Sequence, residues 1–82
     1  MNIPETYFLK KAIDLSRKGM LQGDGGPFGC VIVQEGEIIG EGWNRVIVNH
    51  DPTAHAEIVA IRAACHHLQS FQLTGCDVYA SC

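Results

Sequence analysis

The 82-residue sequence has few basic residues and no long apolar segment. Six lysines and arginines stand against nine aspartates and glutamates, for a formal net charge of −3, so nothing in the composition attracts a phosphate backbone broadly. No stretch is apolar over the roughly 20 residues that a transmembrane helix needs. Lys10 and Lys11 interrupt the place where a secretory signal would have its apolar core. The composition therefore favours a small, uncharged substrate over a nucleic acid or a membrane.

The four cysteines are scattered and form no C-x-x-C pair. Without a visible export signal, we expect reduced thiols and a cytoplasmic location. Cys30 and Cys65 lie inside apolar runs, so they are predicted to be buried small hydrophobic residues. None of the four is predicted to be a metal ligand by itself.

The first part of the chain predicts a helix from Pro4 to about Lys18. Asn2 and Glu5 have the spacing of a cap and its reciprocal partner, and apolar residues then recur at helical spacing. Gly19 follows basic residues and is predicted to end the helix in a left-handed conformation.

Two strands should follow the turn-rich stretch 23–27. The run Cys30 to Val33 is apolar and β-branched, as in a strand covered on both faces. Glu35-Gly36 predicts a hairpin turn into a second strand over 37–44. Gly40 and Gly42 in that strand indicate a bulge or a close approach by another backbone.

A second helix is predicted to begin at Asp51-Pro52-Thr53, with either Asp51 or Thr53 as its cap. It is apolar almost all round apart from Arg62 and His66, so we expect a sheet to cover most of its surface. Gly75 should turn the chain into a third strand over 77–82. The order helix, strand, strand, helix, strand predicts one α/β domain with an antiparallel hairpin.

The chemistry concentrates at His55-Ala56-Glu57. Residues two apart on the side of a helix point in different directions, but at a helix tip an imidazole can bind a metal while a nearby carboxylate reaches the water on it. The unpaired N–H groups there also favour a negatively charged hydroxide. His50, His66 and His67 lack a partner motif and are predicted to lie in a loop and on the helix surface.

Four blocks in order resemble the zinc-dependent nucleobase deaminases of the cytidine-deaminase superfamily. They cover almost the whole chain: Gly25-Gly26-Pro27-Phe28-Gly29, Gly42-Trp43-Asn44, the run from Asp51 to Ile58, and Val78-Tyr79-Ala80-Ser81-Cys82. The resemblance implies a three-layer α/β/α fold, here in part only.

The resemblance also implies roles for five residues. His55 would ligate Zn²⁺, and Glu57 would be the catalytic proton carrier. Asn44, Phe28 and the Ala56 backbone N–H would bind the base. From the residues alone, Asn44 could equally cap a strand end, and Phe28 could belong to the core.

In the resembling families Ser-Cys is followed by Glu-Pro-Cys-x-x-Cys, whose two cysteines complete the zinc site. Cys82 matches the non-ligand position before that segment. We therefore expect residues 1–82 to be the N-terminal portion of a single deaminase domain, truncated and inactive alone, with neither tight zinc binding nor catalysis. The full-length protein is expected to be a homodimer, as the resembling families commonly are.

Two branches of the superfamily are similar to this sequence. The Pro27-Phe28 pair and the acidic balance favour guanine deaminase, which converts guanine to xanthine and ammonia. The segment from Glu41 to Arg45 and the loop 50–52 are equally similar to tRNA adenosine deaminase. The alternative of another class is a non-catalytic fragment, either a pairing module that uses an open sheet edge or a decayed gene product.

Overall fold

The computed structural model describes residues 3–81, which form two helices and a three-stranded sheet. The elements are α1 (Glu5–Leu21), β1 (Gly29–Gln34), β2 (Glu37–Trp43), α2 (Ala56–Leu68) and β3 (Cys76–Ser81). The sheet order is β2-β1-β3, and β1 is antiparallel to both neighbours. With α1 on one face of the sheet and α2 on the other, the predicted element order and α/β/α layering are confirmed. No helix in the described range is long and apolar enough to cross a membrane.

The central strand β1 supplies both halves of the core. Cys30 and Ile32 face the alanines of α2, whereas Val31 and Val33 pack against Phe8 of α1. All four strand residues are buried, as the continuous apolar run predicts for a strand covered on both faces.

The hairpin between β1 and β2 also matches its prediction. Glu35 and Gly36 both have positive φ, at 51° and 77°, which is the conformation of a tight two-residue hairpin turn. Ile32 pairs with Gly40 and Val33 with Ile38, so one extra residue forms a β-bulge in β2.

The predicted close approach of another backbone to the β2 glycines is confirmed as well, because α2 lies directly against them. A Cβ at Gly40 would stand 2.5 Å from the carbonyl oxygen of Ala60, and one at Gly42 would stand 2.5 Å from that of Ala56. Since Ala56, Ala60 and Ala64 form the buried stripe of α2, helix and strand approach each other through small residues on both sides.

Helix α1 corrects one prediction. It continues to Leu21, so Gly19 does not end it. Gly19 is buried inside the helix, and a Cβ there would lie 2.3 Å from the indole ring of Trp43. Close packing explains this glycine, and Gly23, with φ at 77°, is the residue that turns the chain after the helix. The predicted Asn2 cap lies outside the described residues.

Helix α2 corrects two predictions. It begins at Ala56 with His55 as its N-cap, later than the predicted start, and neither Asp51 nor Thr53 caps it. Its only fully buried residues are Ala56, Ala60 and Ala64, so the sheet covers one stripe and not most of its surface. The apolar residues beside that stripe are half-buried, because the three-stranded sheet is too narrow to enclose them.

Strand β3 forms one edge of the sheet, and each of its residues is half-buried or exposed. It begins at Cys76, one residue earlier than predicted. The predicted last residue, Cys82, lies outside the described range.

Candidate functional site

The five residues singled out in the sequence line a single cleft of about 350 Å³ at the tip of α2. They are Phe28, Asn44, His55, Ala56 and Glu57. This volume lies within the roughly 300–1,000 Å³ that is typical of small-molecule sites. The fold thus brings together residues from three separate segments, while their individual roles stay predictions.

His55 and Glu57 meet because the chain changes conformation between them. His55 is extended, with φ −71° and ψ 156°, whereas Glu57 lies in the first helical turn. The His55 Nδ1 and Glu57 Oε1 atoms are 3.5 Å apart. The His55 side chain is 58% exposed and that of Glu57 is 50% exposed. The imidazole and the carboxylate therefore share one space off the helix tip, which is the geometry that the H-A-E spacing requires.

No side chain caps α2 at this end. The first N–H groups of a helix have no partner within the helix, so they remain available to a ligand in the cleft. Together with the helix dipole they favour negative charge or a hydrogen-bond acceptor at this place.

A tight turn just upstream sets where α2 begins. Asp51 Oδ1 accepts hydrogen bonds from the Thr53 hydroxyl at 2.7 Å and the Thr53 backbone N–H at 2.8 Å. The hydroxyl is the largest cause of a lowered Asp51 pKa, followed by the N–H. Further along, the Arg45 N–H donates to the Ala54 carbonyl at 2.9 Å, which holds the residue before His55 against the loop that carries Asn44.

Asn44 directly follows β2 and lines the cleft. Its Oδ1 accepts a 3.1 Å hydrogen bond from the Val46 N–H, and its own N–H donates to the Phe28 carbonyl at 3.1 Å. Asn44 therefore caps the strand end and lines the cleft at once. Because Oδ1 is engaged, the amide offers a ligand chiefly its two Nδ2 donors.

Phe28 is held at the cleft by the glycine loop before it. A Cβ at Gly25 would stand 2.1 Å from Asn44 Oδ1, and one at Gly26 would stand 2.8 Å from the Phe28 ring. The Phe28 side chain is 40% exposed, so it is not a core residue. The glycines of this loop leave the room that Asn44 and Phe28 occupy.

Sequence reasoning missed Asp24, a buried residue whose side chain contacts both sequence neighbours of Asn44. Its Oδ2 accepts a 2.8 Å hydrogen bond from Trp43 Nε1 and lies 3.5 Å from an Arg45 guanidinium nitrogen. Before glycines, an aspartate is typical of a turn, and no local pattern indicates partners that lie about twenty residues downstream.

The Cys30 thiol lies in the core near the site. Burial, and secondly the negative charge of Glu57, raise its pKa from 9.0 to about 11. The thiol is therefore neutral at physiological pH and is a poor nucleophile or metal ligand there. Cys65, which was predicted to be buried, is only half-buried, so that prediction is wrong. His50, His66 and His67 are exposed, as predicted.

The family model for the cytidine and deoxycytidylate deaminase zinc-binding region matches residues 3–82. The chain belongs to this deaminase family. It is 55% identical over 75 residues to guanine deaminase from Bacillus subtilis, covering 92% of this chain and 48% of that protein. It is 44% identical over 75 residues to the tRNA-specific adenosine deaminase of Aquifex aeolicus, covering 92% of this chain and 49% of that protein.

The structure of the chain is also similar to solved structures of deaminases. The X-ray structure of guanine deaminase from Bacillus subtilis superposes with a TM-score of 0.94 at 51% sequence identity, covering 98% of this chain and 51% of that one. The chain thus spans about half the length of the curated relatives it matches.

The family is zinc-dependent, but the described residues do not make a zinc site by themselves. A catalytic zinc takes three protein ligands and a water molecule. Within residues 3–81, no three His, Cys, Asp or Glu side chains are grouped closely enough to hold a metal ion. The cleft contributes one imidazole, that of His55.

Proposed function

We propose that this chain is the N-terminal portion of a zinc-dependent deaminase domain. The domain would remove the amino group of a purine base by hydrolysis, converting guanine and water to xanthine and ammonia. The observation that supports this proposal most is the cleft at the tip of α2, where the side chains of His55 and Glu57 lie 3.5 Å apart and which Asn44 and Phe28 also line. An apolar ring, amide donors and a carboxylate around one small space suit a flat heterocycle that must accept hydrogen bonds and protons.

Each lining residue has a part in this proposal. The Phe28 ring would pack on the face of the base, as aromatic side chains do in sites for planar ligands. The Asn44 Nδ2 group and the Ala56 N–H would donate to acceptor atoms on its edge. Glu57 would take one proton from the attacking water and deliver it to a ring nitrogen. It would then carry the remaining hydroxyl proton to the amino group, which leaves as ammonia.

The metal requirement is part of the proposal. His55 would be one zinc ligand, and two cysteines beyond residue 82 would be the others. When bound, zinc supplies a water whose pKa lies near neutrality.

Guanine is the favoured substrate because of the 55% identical guanine deaminase and the net charge of −3, which does not attract RNA. The second candidate is a tRNA adenosine, supported by the 44% identical tRNA-specific relative. We propose further that the full-length protein is cytoplasmic and, as is common in the resembling deaminase families, a homodimer.

The proposal is tested in two stages. The genomic DNA after codon 82 is read for Glu-Pro-Cys-x-x-Cys in any frame, and the protein extended through it is assayed for ammonia release from a panel of bases and nucleosides and from a tRNA stem-loop. Guanine should be the preferred substrate. Glu57→Gln should reduce turnover by about 10²–10⁴-fold, the usual contribution of general acid–base catalysis, whereas Glu37→Gln, an exposed change on β2, should not.

The outcomes separate the alternatives. Deamination of the stem-loop with none of free guanine would replace the first substrate by the second. Unrelated sequence after codon 82, with no release of ammonia from any substrate, would favour the non-catalytic fragment or pairing module.

A further inference from the structure

Asp24 is the buried acidic residue of the described chain, with 8% of its surface exposed. A carboxylate is costly to bury unless it is paired and hydrogen-bonded. Both of its side-chain partners flank Asn44 in the sequence: Trp43 Nε1 donates at 2.8 Å, and Arg45 lies at 3.5 Å. The Asp24 carboxylate therefore contacts both Trp43 and Arg45, the residues immediately before and after Asn44, whose amide lines the cleft.

The backbone of Asp24 holds the same loop further along. Its carbonyl oxygen accepts hydrogen bonds from the N–H groups of Ile47 and Val48, both at 3.1 Å. Side chain and backbone together attach Asp24 to four residues of the segment 43–48.

The next residues along the chain carry this restraint into the cleft. Gly25 packs directly against the Asn44 amide, and the Phe28 carbonyl accepts the Asn44 N–H. Arg45 connects the same loop to Ala54, next to His55. The two loops that would hold the base are thus joined to one another at Asp24.

Resting on the proposed function, we propose that Asp24 is a positioning residue for base binding, which holds Asn44 and Phe28 in place in the cleft. Among the hydrogen bonds and ion pairs of residues 3–81, none joins Asp24 to His55 or Glu57. Loss of Asp24 should therefore weaken the binding of the base while the proton-transfer step is largely retained.

The test measures steady-state deamination of guanine by the full-length, zinc-loaded protein carrying Asp24→Ala or Asp24→Asn. Asp24→Ala should raise KM about tenfold or more and change kcat less than about threefold, because loops that are no longer held in the binding conformation must be ordered when the base binds. Asp24→Asn should give a smaller rise in KM, since an amide oxygen can still accept from Trp43 but carries no charge for Arg45. Asp14→Asn, an exposed change on α1, is the matched control and should leave both constants unchanged.

A second measurement gives affinity directly. Guanine is titrated by calorimetry into Glu57→Gln protein with and without Asp24→Asn, and Kd should rise by the same factor as KM. Asp24→Asn and this titration decide the matter if Asp24→Ala does not fold.

The possible failures are distinct. A merely structural role would lower kcat in proportion to the zinc-loaded fraction with KM and Kd unchanged, and that result would overturn the inference alone. Absence of turnover of every base by the unsubstituted protein would overturn the proposed function and the inference with it.

Discussion

The indole N–H of Trp43 donates a 2.8 Å hydrogen bond to the buried carboxylate of Asp24, 19 residues earlier in the chain. Lys18 and Arg45 also lie over the indole ring, at 4.9 Å and 5.4 Å from its centroid. One aromatic side chain thereby ties the end of β2 to the loop after α1 and is itself held by cation–π contacts.

We expect Trp43→Phe to lower the free energy of unfolding by about 1–3 kcal/mol, because Asp24 stays buried while its closest donor is removed. The measurement is the urea midpoint and slope, followed by far-UV circular dichroism. Phe71→Leu, at a ring that is 90% exposed, is the control and should have little effect. An unchanged midpoint for Trp43→Phe would mean that the hydrogen bond contributes nothing to stability.

Gly42→Ala should destabilise the protein by about 1–3 kcal/mol, the usual cost of overpacking. The added Cβ would meet backbone atoms of α2 at 2.5 Å, and the backbone of a helix cannot rotate away as a side chain can. Gly36→Asn is the matched control, because no atom lies within 4 Å of its Cβ position and asparagine tolerates positive φ. Equal thermal midpoints for the two variants would contradict the close approach of helix and strand.

We expect the buried Cys30 thiol to make the protein less stable above pH 9. Its pKa is raised from 9.0 to about 11 in the folded protein, so between those values the unfolded state ionises first. Below pH 9 the thiol is neutral in both states. From pH 9 to 11 the free energy of unfolding should fall by up to roughly 2–3 kcal/mol, at about 1.4 kcal/mol per pKa unit.

Cys30→Ala checks this prediction. The quantity to compare is the slope of the free energy of unfolding against pH, and not its value at one pH. The variant has a small cavity at every pH, but its stability should decline less between pH 9 and 11 than that of the unsubstituted protein. Cys65→Ala, at a half-buried position on α2, should keep the original slope. Parallel curves for all three proteins would show that Cys30 does not ionise in this range.

The 82-residue chain by itself should retain no stoichiometric zinc after dialysis. Its described residues offer one imidazole in the cleft and no group of three donors, and an open, singly ligated zinc dissociates readily. Emission spectroscopy of the purified chain, with and without chelator treatment, provides the measurement. A retained equivalent of zinc that is lost on His55→Ala would contradict the prediction.

Much of the fold could be predicted because its signals are local. The apolar run of β1, the Glu35-Gly36 turn and the β2 glycines each indicate their own conformation within a few residues. The grouping of His55 and Glu57 was also predictable, since a two-residue spacing brings side chains together only where an extended residue meets the first turn of a helix.

The wrong predictions concern a glycine and two capping residues, whose conformations depend on distant contacts or on a competing local hydrogen bond. Gly19 follows basic residues as a helix-ending glycine does, but a contact with Trp43, far along the chain, places it inside α1. Asp51 and Thr53 have the chemistry of caps, yet they satisfy each other in a turn before α2 begins. Asp24 could not be found at all, because its partners are defined only once α1 and β2 have packed.

The contact of α2 with β2 links the sheet to the position of His55. Where Gly40 and Gly42 meet Ala56 and Ala60, only hydrogen atoms separate the two backbones. A larger side chain on either surface would push the tip of the helix outward and carry the imidazole with it. Among descendants of this sequence, these four positions should therefore change together or not at all, although only Ala56 among them lines the cleft.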